Sequence, residues 1–352
     1  MRVIVTAGGT GGHIMPAMAI AEGIRDRRPD AAILYIGTNR GMEERIAGQF
    51  GLDFKGIDAL GIKGKGPRHI ARAAFVNVKA LLDALSIVRS FRPDWVVGTG
   101  GYVTGMVVLA GFLTRARCAI QEQNSVGGLT NRILGRLAKR IFLAYPDDAG
   151  VFPKSKTILT GNPVRKSISP GLRKGEGDYL LILGGSLGAS SINDTAVKAL
   201  KLLKDEGVVL KVLHQTGARD FRKVEQAYGE AGVEATVRDF IDDMAPVYAG
   251  ARLALCRCGG LTLSELSVMG VPAIMVPFPQ ATDNHQMGNG RYVERHGGGW
   301  VIPDDALSPE RLALEIRKRY FDHDMLQRAA SDFISLGLGN GSRVIAEEIS
   351  GV

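Results

Sequence analysis

One pattern occurs twice and limits the fold more than any other feature: a short apolar run, a glycine-rich turn, then a helical run. Residues 2–7 read as a buried strand, Gly8-Gly-Thr-Gly-Gly12 as the turn, and residues 15–25 as the helix. Residues 179–183, Gly184-Gly-Ser-Leu-Gly188 and residues 191–203 repeat that order. Strand, glycine turn and helix open a doubly wound α/β sheet. Two such openings in 352 residues imply two Rossmann-like halves, each long enough for its own core. Residues 32–37, 95–97, 119–121 and 140–143 supply further strands to the first half, and 210–214, 235–238, 253–256 and 273–276 to the second. The linker falls near residues 159–165, followed by a Gly-, Lys- and Ser-rich surface connection over 167–178. Two sheets of this kind bind ligands at the carboxyl ends of their strands, which places the site in a cleft between the halves.

Composition narrows the setting. Cys118, Cys256 and Cys258 are too few and too uneven for a disulfide framework, and the Cys256-x-Cys258 pair lacks the further ligands that zinc requires. Glycines arrive too soon after Arg2 for the apolar core of a signal peptide. Residues 95–114 carry no charge, but their glycines and central turn fit a strand, a loop and a buried helix better than a membrane span. Charge is uneven. Residues 1–160 hold 22 basic against 12 acidic side chains, net +10, whereas residues 161–352 hold 22 against 24, net −2. A basic first half points to an anionic partner, nucleic acid or an anionic membrane surface, beside the plainer reading of a solvated basic face.

Glycine turns at strand-to-helix junctions let backbone N–H groups approach a phosphate. Neither turn is followed by the Gly-Lys-Ser/Thr of a nucleotide-triphosphate loop or by a dinucleotide-binding acid. Arg257-Cys-Gly-Gly-Leu-Thr-Leu-Ser-Glu265 is more specific: Gly259 and Gly260 open a helix, and Glu265 one turn in suits a ribose diol, or else is a solvated helix-start acid. Asp283-Asn-His-Gln286 suits sugar hydroxyls. His13, on the first turn, is a candidate general base or a structural hydrogen-bonding residue; Glu122, within Gln121-Glu-Gln-Asn124, is the competing base. Lys63, Lys65, Arg68, Arg72 and Lys79 flank a helix with Phe75, Val78, Leu82 and Leu85 on one face, which suits a membrane interface or a packed core.

Gly8 to His13, Gly100-Gly-Tyr-Val-Thr-Gly105, Glu122-Gln-Asn124, Gly127-Gly-Leu-Thr-Asn131, Gly161-Asn-Pro-Val-Arg165, Gly184 to Gly188, Phe240-Ile-Asp-Asp-Met244 and Arg257 to Glu265 follow in order along nearly the whole chain. This series resembles the bacterial cell-wall N-acetylglucosaminyltransferases of glycosyltransferase family 28. The resemblance implies the GT-B fold, two Rossmann-like domains facing across a cleft. Residues 1–160 would form the acceptor and membrane-associating domain and residues 161–340 the domain for UDP-N-acetylglucosamine. Residues 341–352 would form a terminal helix that packs back on the first domain. It implies inverting transfer of N-acetylglucosamine to the 4-hydroxyl of N-acetylmuramic acid in lipid I, forming lipid II, with no cofactor, no metal and no nucleic acid. Peripheral attachment to the cytoplasmic face of the inner membrane follows, with other wall-synthesis and division proteins as further partners. Carried over, Ser186 and Arg165 lie in the donor pocket and the backbone of Ile241 reads uracil. Gly260, Leu261, Thr262, Leu263 and Ser264 wrap the diphosphate and ribose, Glu265 holds the ribose hydroxyls, and Gln286 and Asn124 hold the sugar. Thr10, Gly11 and Gly12 frame the acceptor diphosphate, and Tyr102 and Asn131 are acceptor-side residues. His13 is the favoured base and Glu122 an alternative or orienting partner. Gln121, where the family often has histidine, and Cys258, where it often has serine, depart from the pattern.

Overall fold

The structure is a computed structural model. It describes residues 1–9, 11–39, 42–61, 67–173, 175–185 and 188–351, with the backbone alone for residues 67–71. The expectations for Thr10, Ser186, Lys63 and Lys65, and for the side chain of Arg68, lie outside the described residues.

The chain divides into two compact units, Met1–Lys166 with Gly339–Val352, and Ser167–Leu338. In the first unit the strands are β1 (Arg2–Thr6), β2 (Ala32–Thr38), β3 (Asp53–Ile57), β4 (Trp95–Gly98), β5 (Arg117–Glu122), β6 (Arg140–Leu143) and β7 (Thr157–Leu159). They form one parallel sheet in the order β3-β2-β1-β4-β5-β6-β7. The helices are α1 (Gly11–Arg27), α2 (Glu43–Gln49), α3 (Pro67–Phe91), α4 (Tyr102–Leu113) and α5 (Leu129–Leu137). Buried Val3, Val5, Val97 and Phe142 pack towards α1, while Ile4, Val96, Ile120 and Ile141 pack towards α3 and α4. Burial on both faces explains why the central strands read as continuous apolar runs.

In the second unit β8 (Tyr179–Leu183), β9 (Lys211–Gln215), β10 (Thr236–Arg238), β11 (Ala251–Cys256), β12 (Ala273–Met275) and β13 (Gly299–Val301) pair in the order β10-β9-β8-β11-β12-β13, all parallel. The helices are α6 (Ser190–Asp205), α7 (Phe221–Ala231), α8 (Met244–Gly250), α9 (Gly260–Met269), α10 (His285–Arg295), α11 (Pro309–Tyr320) and α12 (His323–Ser335). The last helix, α13 (Gly341–Ser350), belongs to the first unit, where Ile345, Ala346 and Ile349 share a core with Ala17, Ile20 and Ile24 of α1. In each sheet the order reverses beside the first strand, β1 or β8, so the loops after these strands lie at a topological switch point.

Residues 161–166, expected in the second half, belong by their contacts to the first. The amide of Gly161 donates to Leu143 O of β6, and Asn162, fully buried, is hydrogen-bonded to the end of β5. Residues 95–114 form β4, a glycine loop and α4. Among the described residues no helix is long and apolar enough to cross a membrane.

Candidate active site

In the first unit the site grows from the carboxyl ends of β1, β4 and β5. The turn after β1 is fastened to the turn after β4, since Gly8 N donates to Gly100 O at 3.1 Å. His13, in the first turn of α1, is anchored by the same loop. Its Nδ1 lies 3.1 Å from Thr99 O and 3.1 Å from Gln123 Oε1, and Thr99 Oγ1 donates to His13 O at 2.8 Å. A backbone carbonyl can only accept, so Nδ1 carries a proton, and in the neutral ring Nε2 is then the acceptor. His13 is half-buried, at the start of a helix, with Nε2 turned from this anchor.

Glu122 is differently placed. It is 4% exposed, and both oxygens are engaged: Oε1 accepts from the backbone N (3.1 Å) and Nδ2 (3.3 Å) of Asn124, and Oε2 from Gly128 N (2.9 Å) and Asn131 Nδ2 (2.8 Å). The carboxylate therefore braces the loop between β5 and α5. Asn131, buried beside it, presents an Oδ1 with no hydrogen-bond partner among the described residues. Tyr102, the first residue of α4, is 61% exposed, and its ring lies against Gly61. Arg165 is half-buried in the first unit.

Sequence reasoning passed over Glu43. It is fully buried at the start of α2, and its Oε1 accepts from Gly9 N (3.2 Å) and Thr38 Oγ1 (2.7 Å), holding the first glycine turn from below. Beyond an acid at a helix start, three positions before Ile46, the first apolar residue of α2, no local signal marks it.

In the second unit the turn after β8 needs glycine at Gly188, where φ is +79° and a Cβ would lie 2.4 Å from Thr216 O. Gln215 ties this turn to the next loop, since Nε2 donates to Gly185 O (3.3 Å) while Oε1 accepts from Ile241 N (3.2 Å). The backbone N–H of Ile241 is thus already engaged within the protein. Below the turn, Asp220 accepts from Ser190 Oγ (2.6 Å) and Asn193 Nδ2 (2.9 Å), and the Ser190 hydroxyl holds its carboxyl below the usual range. Asp243 caps α8 by accepting from Ala245 N.

Helix α9 starts without a side-chain cap at Gly259. Leu263 N closes the first helical hydrogen bond, to Gly259 O. The amides of Gly260, Leu261 and Thr262 thus have no acceptor within the helix, which makes an anion-binding terminus. Ser264 Oγ donates back to Gly260 O at 2.9 Å. Glu265 is 5% exposed, so it is not a solvated helix-start acid; its Oε2 accepts from Tyr248 OH at 2.9 Å. Gln286 Oε1 accepts from Cys258 N (3.2 Å) and Phe278 N (3.0 Å), which leaves its NH2 for a ligand. Asn289 Nδ2 donates to Cys258 O at 3.0 Å, so α10 clamps both backbone groups of Cys258. Arg257 pairs with Asp304 at 2.5 Å and donates to Ser191 Oγ at 2.8 Å. Cys256 and Cys258 are buried, and burial pushes the Cys256 thiol up to about 12.

Two parallel-sheet units, each with a glycine turn at its switch point, and an uncapped helix terminus beside a buried acid give the GT-B fold, and the family matches make the chain a glycosyltransferase of that fold. Residues 3–143 match the glycosyltransferase family 28 N-terminal domain and residues 179–349 the family 28 C-terminal domain. The chain belongs to glycosyltransferase family 28. It is 41% identical over 351 residues (99% of this chain, 92% of the other) to the UDP-N-acetylglucosamine–N-acetylmuramyl-(pentapeptide) pyrophosphoryl-undecaprenol N-acetylglucosamine transferase of Anaeromyxobacter sp. strain Fw109-5. It is 46% identical over 314 residues to the protein of the same name from Nitratidesulfovibrio vulgaris strain Hildenborough, covering 87% of this chain and 85% of that one. Among solved structures, Acinetobacter baumannii MurG superposes with a TM-score of 0.80 at 31% identity, covering 100% of this chain and 99% of that one. A UDP-GlcNAc 2-epimerase from Neisseria meningitidis, at 14% identity and a TM-score of 0.69, shares the fold alone.

Proposed function

We propose that this glycosyltransferase moves N-acetylglucosamine from UDP-N-acetylglucosamine to the 4-hydroxyl of the N-acetylmuramic acid in lipid I, forming lipid II for peptidoglycan. The names of relatives that match nearly the whole chain support the two substrates. The observation that carries the chemistry is His13, held with Nδ1 on Thr99 O so that Nε2 is the nitrogen free of this anchor. Nε2 takes the proton of the attacking hydroxyl as the new anomeric C–O bond forms. The old bond to phosphate breaks on the opposite face, and UDP leaves with the electron pair. The imidazolium so formed donates to two acceptors already in place, Thr99 O and Gln123 Oε1, which stabilises the charge as it develops.

Lipid I draws on the first unit and the UDP of the donor on the second. On the acceptor side Gly11, Gly12, Tyr102 and Asn131 meet lipid I, and Glu122 orients Asn124 and Asn131 rather than acting as the base, because four donors saturate it. On the donor side the amides of Gly260, Leu261 and Thr262 receive the diphosphate and stabilise the leaving charge. Glu265, oriented by Tyr248, accepts from the ribose hydroxyls; the Ile241 carbonyl accepts from uracil; the Gln286 NH2 and Asn124 hold the sugar. Leu263 and Ser264 complete the turn around the ribose.

The acceptor's lipid requires contact with a membrane, and α3 supplies it. Its buried side is small (Ala73, Ala80, Ala84, Val88), while Phe75, Val78 and Leu82 stand 77%, 60% and 62% exposed with Arg72 and Lys79 beside them. Leu85, expected on that outer face, is partly buried against the core, because the helix has turned it towards Ala84 and Val88. Large apolar side chains outside and small ones inside suit peripheral attachment to the anionic cytoplasmic face of the cell membrane.

The test is incubation with radiolabelled UDP-N-acetylglucosamine and a lipid I analogue. UDP release with label in the lipid is expected; no transfer to that acceptor would defeat the reading. His13→Gln should lower kcat by roughly 10²- to 10⁴-fold while KM for the sugar nucleotide stays near the native value.

A further inference from the structure

Behind His13 runs a buried line of three side-chain amides, of which the reaction as written uses one atom alone, Gln123 Oε1. Asn162 and Gln121 are fully buried and Gln123 is 3% exposed. Asn162 Nδ2 donates to Gln123 O at 3.1 Å, which turns Asn162 Oδ1 to Gln121. Gln121 Nε2 donates to that oxygen at 2.9 Å and to Glu122 O at 3.1 Å, so Gln121 Oε1 faces Gln123. Gln123 Nε2 donates to Gln121 Oε1 and to Thr99 O, which leaves Gln123 Oε1 facing His13 Nδ1 at 3.1 Å.

Every amide in the line is oriented by a backbone carbonyl: Gln123 O for Asn162, Glu122 O for Gln121, and Thr99 O for Gln123. Since carbonyls only accept, reversing any one amide would press oxygen against oxygen in a buried site. The direction of donation is therefore fixed from residue 162 to residue 13. It ends on an acceptor at Nδ1, a second one besides Thr99 O, and two acceptors hold both the tautomer and the plane of the ring.

We propose that Gln123 is a positioning residue that holds His13 with Nδ1 protonated and Nε2 bare, its own orientation set by Gln121 and Asn162. The inference rests on the reading of His13 as the base only for its kinetic consequence, not for the tautomer. Gln123 touches no substrate; it acts through His13.

The experiment uses the full chain labelled with ¹⁵N-histidine, with the His13 ring signals assigned by their loss in His13→Gln. In the native protein the proton should couple to Nδ1 and Nε2 should show the shift of an unprotonated ring nitrogen. Gln123→Met should mix the tautomers and lower kcat roughly 10- to 100-fold, part of the whole general-base contribution, with KM for UDP-N-acetylglucosamine within about two-fold. Gln121→Met, one step further away, should shift both readouts in the same direction by less, and it serves if Gln123→Met does not fold. A native His13 protonated at Nε2, or a folded Gln123→Met with native tautomer and kcat, would overturn the proposal. Native turnover by His13→Gln would instead remove His13 as base and leave the ring measurement to decide the tautomer.

Discussion

At Gly101 the backbone lies at φ +89°, and a Cβ there would meet Gly8 O at 2.1 Å. Gly101→Ala therefore combines a left-handed strain of roughly 1–2 kcal/mol with a backbone collision that pushes the β4 and β1 turns apart. Lipid I turnover should fall with the acceptor's KM raised, while UDP binding in the other unit stays native; unaltered acceptor kinetics would refute the coupling of the two turns. A second residue reports on pH. His214 is fully buried between Tyr228 OH (2.9 Å) and Asn193 Oδ1 (3.0 Å), and burial pushes its imidazole down to about 3. Below the unfolded value of about 6.5 the unfolded chain binds a proton that the folded chain refuses, so stability is lost as pH falls from there towards 3. The slope approaches about 1.4 kcal/mol per pH unit, and His214→Gln should be less stable at neutral pH yet flatter in Tm over that window. An equal slope in both proteins would exclude His214 as the source. These residues also show what a sequence can disclose of a site. His13, Glu265 and Gln286 were legible because glycine turns and helix starts announce them. Glu43, Tyr248, Asn289 and the orienting side of Gln123 were not, because each acts across the sheet on a loop remote in sequence.

Among the elements, α3 separates packing from function. Phe75, Val78 and Leu82 stand mostly in solvent, so replacing all three by Ser should leave the unfolding midpoint within about 1 kcal/mol of native. Flotation with vesicles rich in anionic lipid should drop sharply, and lipid II formation in such vesicles with it, while a soluble lipid I analogue is turned over normally. Native flotation of the triple variant would remove α3 as the membrane face. The same helix explains a limit of pattern reading: periodicity finds its apolar stripe, but only the small Ala73, Ala80 and Ala84 on the other side reveal which stripe faces the sheet. Central strands such as β1, β4 and β8 were readable as continuous apolar runs, buried on both faces. The edge strands β3, β7 and β13 were not. β3 alternates, β7 is three residues long with its last one, Leu159, exposed at the start of the expected linker, and β13 follows a glycine run.

At the scale of the molecule the two units differ in how the chain builds them. Ser167–Leu338 is continuous, and among the described residues its core cluster, from Leu180 to Leu326, lies wholly within that span. The first unit is closed only by the end of the chain. Ile345 and Ile349 of α13 are buried against α1, Arg27 pairs with Glu347, and Arg140 pairs with Glu348 at 2.5 Å. Burying two isoleucine side chains contributes roughly 3–6 kcal/mol, which is comparable with the whole stability of an ordinary domain, whereas the partly exposed ion pairs add little. A fragment of residues 167–338 should therefore fold cooperatively and, since it holds α9, Glu265 and Gln286, bind UDP measurably by calorimetry. A fragment of residues 1–166 should be unfolded or molten, and joining residues 339–352 to it through a flexible linker should restore a cooperative transition. Urea titration of the three fragments decides the matter. A stable 1–166 fragment would show that α13 is dispensable to the first core, and a folded 167–338 fragment without UDP affinity would move the nucleotide site out of the second unit.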